Sequence, residues 1–246
     1  MAEREKVETL DVNNVWRPRA RMARRRASHT YGAVVLLLVV EFIFIAAAPD
    51  EYWAVAALLL LQGCTLFLAL WTTGLGKEMR PLLPLALPLI AAAVAVVLLE
   101  SGTAVGLVAL LNATLVVATV AVLIVGIVDQ AEVNTQSVTG AVCAYLLLGF
   151  LFNFLFGAVA ALGNGPFFAN GSDGTPFERL YFSFVTLATL GYGDYSAGEP
   201  VGRSLAVAEV LIGQLFLVTA VGLLIGLLVS ARAAPQTTGD EPADLP

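Results

Sequence analysis

The chain has 246 residues, of which 59% are hydrophobic and only 13% charged, with a mean hydropathy of +0.85. Soluble domains carry about 25% charged residues, so the composition excludes the soluble enzyme and nucleic-acid-binding classes and points to an all-α membrane protein. The net charge of -6 says little, because the charges lie outside the apolar runs.

Residues 1–30 are polar, and Arg17, Arg19, Arg21, Arg24, Arg25 and Arg26 crowd against the first apolar run. No small-residue cleavage site follows at a sensible distance, so a basic cytoplasmic segment is expected here, not a cleaved leader. The arginines read as a topology signal. Arg24, Arg25 and Arg26 also suit contact with anionic lipids that modulates the protein. His29, the single histidine, reads as an interfacial residue.

Six apolar runs follow, at 31–48, 52–72, 82–99, 104–128, 138–162 and 201–230. Each is near the roughly 20 residues that cross a bilayer. A seventh piece, 176–188, is too short to span and suits a re-entrant helix of about 18–20 Å. With the N-terminus inside, eleven of the thirteen lysines and arginines fall on the cytoplasmic side. Both termini are therefore expected in the cytoplasm of a multi-pass protein of the cell membrane. The loop 129–137 carries no positive charge and adds nothing to this asymmetry.

Residues 31–128 read as a four-helix membrane unit. Its fourth run, 104–128, holds no lysine or arginine, so it lacks the charges on which a membrane field does work. Glu41 sits well inside the first run. It reads either as a functional carboxyl or as a hydrogen-bonded one facing the bundle near Gln62 or Asn112. Pro81, Pro84 and Pro88 make the start of the third run irregular. Cys64 and Cys143 read as small apolar residues in the runs.

Residues 138–230 read as one unit of outer helix, loop, short helix, strip and inner helix. The loop 163–175 is rich in glycine, proline and small polar residues, as an exposed turn is. Within it Asn170-Gly171-Ser172 matches a glycosylation acceptor, a pattern frequent by chance. Thr175-Pro176-Phe177-Glu178 fits a capping box that starts the short helix, with Glu178 at the positive end of its dipole. Then comes Thr189-Leu190-Gly191-Tyr192-Gly193-Asp194. Its glycines permit backbone conformations closed to other residues, so the carbonyls of the strip can face one way. On the inner helix, Gly213 reads as a bend point or as a site of close helix packing. Gly222 and Gly226 read as a packing pair. The polar tail 231–246 is too short to fold.

The strip and its setting resemble the selectivity filter of the potassium channel family. The likeness is specific over 138–230, whereas the first four helices match only in number. It implies six transmembrane helices, a re-entrant pore helix at 176–188, a filter at 189–194 and an inner helix at 201–230. It implies potassium ions held by carbonyl oxygens of Thr189, Leu190, Gly191 and Tyr192, with the Thr189 hydroxyl. Gly193 ends the strip, and Asp194 sits behind the outer mouth within reach of the Tyr181 hydroxyl. Tyr192 turns away from the axis and braces the strip against the short helix. Gly213 matches the gating hinge. Leu190 stands where valine or isoleucine is commoner, and Val185 where some relatives pair a glutamate with the aspartate. One strip cannot surround an ion, so four chains in cyclic symmetry are implied. The expected function is passive, potassium-selective conduction in a homotetramer embedded in lipid. No catalysis is expected, and no cofactor beyond the permeant ion. The alternatives are a non-conducting subunit that modulates another membrane protein, or a less selective cation channel.

Overall fold

The computed structural model describes residues 31–73, 86–128 and 135–233. Among them the chain forms helices α1 (Tyr31–Ala47), α2 (Tyr52–Thr72), α3 (Ala86–Leu99), α4 (Gly102–Val128), α5 (Thr135–Leu162), α6 (Pro176–Leu187) and α7 (Pro200–Ala233). No strand occurs in these residues, only one antiparallel bridge between Phe168 and Ala197. Four helices, α2, α4, α5 and α7, are long and apolar enough to cross a membrane; α1 and α3 are apolar but shorter. The six expected runs thus appear as six apolar helices, two of them below spanning length. Arg24, Arg25, Arg26, Pro81, Pro84, the loop 129–134 and the tail from 234 lie outside the described residues.

Breaks between the helices have local causes. Pro49 follows α1 and cannot continue a helix, since it has no amide hydrogen to donate. Between α3 and α4 the turn is two residues long. Glu100 adopts a left-handed φ of 45°, and the Ser101 hydroxyl accepts from the Ala104 amide at 3.2 Å, an N-terminal cap for α4. Pro88 falls in the first turn of α3, where an amide hydrogen has no intrahelical partner to lose.

Helix α5 lies along α4, α2 packs on α3 and α4, and α1 packs on α2 and α5. The short α6 sits between α5 and α7 and also touches α1. One apolar core contains Leu38 of α1, Leu58 of α2, Val116 of α4, Leu147 and Phe150 of α5, and Leu180 of α6. The first four helices and the segment 135–233 therefore share packing. Outward-facing Leu36, Ile43, Phe67, Trp71, Leu98 and Leu107 are exposed on the chain, and lipid tails give them apolar surroundings.

Glu41 is buried, only 1% exposed. Its carboxylate accepts a hydrogen bond from Thr65 Oγ1 at 2.5 Å. Its partner is thus on α2, one turn beyond Gln62, and is neither Gln62 nor Asn112. Both polar atoms of the Gln62 side chain are buried without a hydrogen bond.

The loop after α5 departs from the expected exposed turn. Phe167 and Phe168 are each 1% exposed and pack with Phe152, Phe156 and Phe182 in a ring cluster. The apolar pair was legible, but the surrounding glycines and polar residues outweighed it in the reading of composition. Two aromatic rings bury a large apolar area, which draws the loop down onto α5 and α6. Asn170, at the exposed tip, accepts from the Ser172 amide at 3.0 Å.

Candidate functional site

The site is built around α6. Thr175 Oγ1 accepts from the Glu178 amide at 3.2 Å, and Glu178 Oε2 accepts from the Thr175 amide at 2.7 Å. This closed capping box, with Pro176 in the first turn, satisfies two amides that a helix start leaves without partners. Glu178 then uses its other oxygen, Oε1, to accept from the Tyr195 hydroxyl at 2.7 Å. The Tyr195 hydrogen bond, followed by the Thr175 amide, holds the Glu178 carboxyl below its usual range. One carboxylate thereby ties the outer end of α6 to the backbone that returns from the strip.

The strip turns back from the inner end of α6. The Thr189 amide donates to Thr186 O at 2.9 Å, and the Leu190 amide to Val185 O at 2.9 Å. A longer bond, 3.4 Å, runs from the Gly191 amide to Val185 O. These three N–H groups face the helix. Among the described residues, no carbonyl from Thr189 to Gly193 accepts a hydrogen bond.

Backbone φ explains the separation. It is positive at every second residue, 58° at Thr189, 54° at Gly191 and 81° at Gly193, and not at Leu190 or Tyr192. Residues of alternating handedness keep successive peptide planes facing the same way, with amides along one side. The carbonyls then share the other side. Gly191 and Gly193 adopt this conformation without a Cβ penalty. Thr189 has no such freedom: a β-branched residue at positive φ is strained by about 1–2 kcal/mol. Strain of this kind persists where the surroundings over-determine the backbone, and it gathers at functional sites. Nothing in the sequence marked Thr189 as left-handed.

Side chains lock the strip from outside. The Tyr181 hydroxyl donates to Asp194 Oδ2 at 2.8 Å, and the Tyr195 amide donates to Asp194 Oδ1 at 3.1 Å. Tyr181 and Tyr195 meet edge to face, with centroids 6.0 Å apart, and Tyr195 packs against Phe168 at 4.9 Å. The sequence reading included Asp194, Tyr181 and Glu178 but missed Tyr195. Its signal was available: an aromatic residue directly after the motif, opposite a capping carboxylate with a spare oxygen.

A second lock lies deeper. Ser183 Oγ lies 2.8 Å from Gly149 O on α5 and 2.5 Å from Glu209 Oε1 on α7, so its one hydroxyl hydrogen is shared between two acceptors. Ser183 and Glu209 are both fully buried, and Glu209 Oε2 has no hydrogen-bond partner. Near the base of the strip, the Tyr145 hydroxyl donates to Leu187 O across 3.4 Å, a long bond, and its ring stacks on Phe216 at 6.2 Å. Helix α7 is unbroken through Gly213. A Cβ at Gly213 would lie 2.4 Å from Leu187 Cδ1, so the missing side chain is what admits the end of α6. Close packing accounts for this glycine in the conformation observed. Gly149 plays the same part for Phe184, whose ring atoms lie 2.6 Å from where its Cβ would be.

The single chain leaves the strip bare. Every residue from Thr189 to Asp194 is exposed, Leu190 at 57% and Tyr192 at 67%. The Tyr192 ring is thus largely open to the surroundings in the single chain. Val207, Leu211, Leu215 and Val218 on α7 are exposed too, and only 17% of the most apolar part of that helix is buried. Among the described residues no cluster of three or more His, Cys, Asp or Glu side chains is placed to hold a metal ion.

Residues 140–230 match the family model described as "Ion channel". The mouse protein "Potassium channel, subfamily K, member 16" is 36% identical to this chain over 96 residues. That match covers 36% of this chain and 32% of the mouse protein, so the chain spans about a third of the length of that relative. No solved structure matches.

Proposed function

We propose that this chain, whose residues 140–230 match the ion channel family model and which is similar to a potassium channel, is one of four identical subunits of a potassium-selective channel. Each subunit contributes the strip Thr189–Gly193 to a shared axis. Carbonyl oxygens of Thr189, Leu190, Gly191 and Tyr192, with the Thr189 hydroxyl, replace the hydration shell of the ion. Gly193 closes the strip, and conduction is passive.

The observation that carries this reading is the alternating φ at Thr189, Gly191 and Gly193, with the amides of 189–191 turned to α6. That backbone leaves a row of unpaired carbonyls on one side. In hydrocarbon each would cost several kcal/mol, and a row of them is tolerable only against ions or water. The exposures support this assembly. A bare strip, an exposed Tyr192 and an open apolar face on α7 are covered when four copies close around an axis. Tyr192 then rests on a neighbouring subunit. Both termini lie in the cytoplasm, and the strip opens to the outside of the cell membrane. Anionic lipids meet the arginines at 24–26.

The test is ion flux into liposomes holding the purified protein. Potassium flux is expected to exceed sodium flux at least tenfold, a difference of about 1.4 kcal/mol at the filter. Gly191→Ala, which puts a Cβ on a residue at positive φ, is expected to abolish that selectivity. Equal sodium and potassium permeability in the unaltered protein overturns the reading, as does a stable, flux-free protein that is not tetrameric.

A further inference from the structure

A cavity of about 50 Å³ lies where the outer part of α6 meets α4 and α5. Its polar wall is made by Asn112 of α4, Asn153 of α5 and Arg179 of α6, and its apolar wall includes Ala109, Phe154 and Gly157. Asn112 and Asn153 are buried, 2% and 4% exposed. The Asn112 amide nitrogen donates to Val108 O at 3.2 Å, which fixes the orientation of its carbonyl. Neither Asn112 Oδ1 nor Asn153 Oδ1 has a hydrogen-bond partner. Arg179 donates from Nη1 to Asp173 O at 2.9 Å and also to Gly174 O. A guanidinium carries five N–H groups, so donors remain beyond these two bonds. Asp50, Asp173 and Glu178 act on its charge, and these two hydrogen bonds go to backbone carbonyls. The cavity thus brings unsatisfied acceptors and spare cationic donors to one place.

The chemistry selects the occupant. An anion is attracted by Arg179 but faces two carbonyl oxygens. A cation suits the oxygens but is repelled by Arg179. An apolar group leaves both amide oxygens and the spare guanidinium donors without partners, which costs their desolvation. A neutral hydroxyl satisfies both kinds of partner, since it accepts from the guanidinium and donates to an amide oxygen. Water is the smallest such molecule, and it needs about 10–15 Å³ and two to four polar partners. We infer that this cavity is a hydration site in which ordered water bridges Arg179 to Asn112 and Asn153. The joint between the four-helix unit and the pore helix is therefore wet at its outer end. Further in, Phe42 of α1 meets Phe184 of α6 edge to face at 6.0 Å. This inference stands apart from ion conduction and does not require it.

The first test is a high-resolution cryo-electron microscopy map of the full chain in a lipid nanodisc. Ordered density is expected within about 3.2 Å of both the Arg179 guanidinium and an oxygen of Asn112 or Asn153. An empty cavity, an acyl chain within it, or direct closure of Arg179 onto the amides overturns the inference. The second test is a cycle of Asn153→Leu, Arg179→Met and the two combined, read as thermal unfolding midpoints. A water shared by both side chains makes the combined loss clearly smaller than the sum of the single losses. Losses that add fully overturn the shared bridge.

Discussion

The pore region and the first four helices are held by different forces. In the pore region, side-chain hydrogen bonds run between separate elements: Tyr181 to Asp194, Tyr195 to Glu178, Ser183 to Gly149 and Glu209. In the four-helix unit, hydroxyls and amides mostly turn back on their own helix, as Thr114 does to Leu110 O, Thr119 to Leu115 O and Asn112 to Val108 O. Thr65 to Glu41 is a bond that crosses between helices there. Directed bonds fix orientation as well as position, whereas lipid offers little hydrophobic drive between helices and leaves them to shape and small residues. A strip whose carbonyls must point one way needs the first kind of support. A bundle that needs only to be apolar outside can do with the second.

The sharpest way to break this contrast is to remove Ser183. Ser183→Ala deletes the hydroxyl shared by Gly149 and Glu209 and leaves Glu209 Oε1 buried without a donor, beside an Oε2 that already lacks one. A loss of about 2–3 kcal/mol is expected, with potassium selectivity falling in parallel. Unfolding midpoints and reversal potentials measure the two. Adding Glu209→Leu removes the stranded carboxyl and should recover part of the stability. A neutral Ser183→Ala means that directed bonds do not hold the pore region.

Gly213→Ala comes next. Overpacking against the buried Leu187 should cost about 1–3 kcal/mol. If packing is the reason for the glycine, Leu187→Val should relieve the cost in the double variant. A hinge predicts otherwise: gating changes in both variants, and stability in neither.

A smaller effect is expected from acid at the outer face. The Glu178 carboxyl is held below its usual value of 4.5, first by Tyr195 and then by the Thr175 amide. A depressed carboxyl contributes stability above its unfolded value, which is lost as pH falls through the folded one. Selectivity measured against outside pH should therefore hold from pH 7 to 5 and weaken only below the usual glutamate range. Tyr195→Phe removes the largest cause, so the weakening should begin at higher pH. A wild-type transition above pH 5 rules Glu178 out as its source.

The same contrast explains what could be read in the sequence. Apolar runs gave six helices within a few residues, because length and composition alone decide that a segment is buried in lipid. Thr175 to Glu178 was legible because it is a short-range device whose geometry lies in adjacent residues. Ser183 and Glu209 are 26 residues apart, and no local pattern joins them. Phe167 and Phe168 were hidden by a loop whose small polar residues suggested exposure. The partner of Glu41 was misplaced by one helical turn, since apolar helices of this kind carry almost no periodicity to show which face meets which.

That low contrast makes Glu41 the finest probe of the four-helix unit. Glu41→Gln keeps a carbonyl oxygen able to accept from Thr65 Oγ1. The bond should survive, with stability changed by less than about 1 kcal/mol and flux by less than about twofold. Thr65→Val strips the carboxyl of its donor and should cost more, about 1–3 kcal/mol, again with little effect on flux. This order follows if the pair serves packing alone. The reverse order, a large change in flux for Glu41→Gln and none for Thr65→Val, would mean that the carboxyl acts through its proton and not through the bond it accepts. The first four helices would then contribute a directed, titratable contact of their own, and the division between the two halves of the chain would fail at that residue.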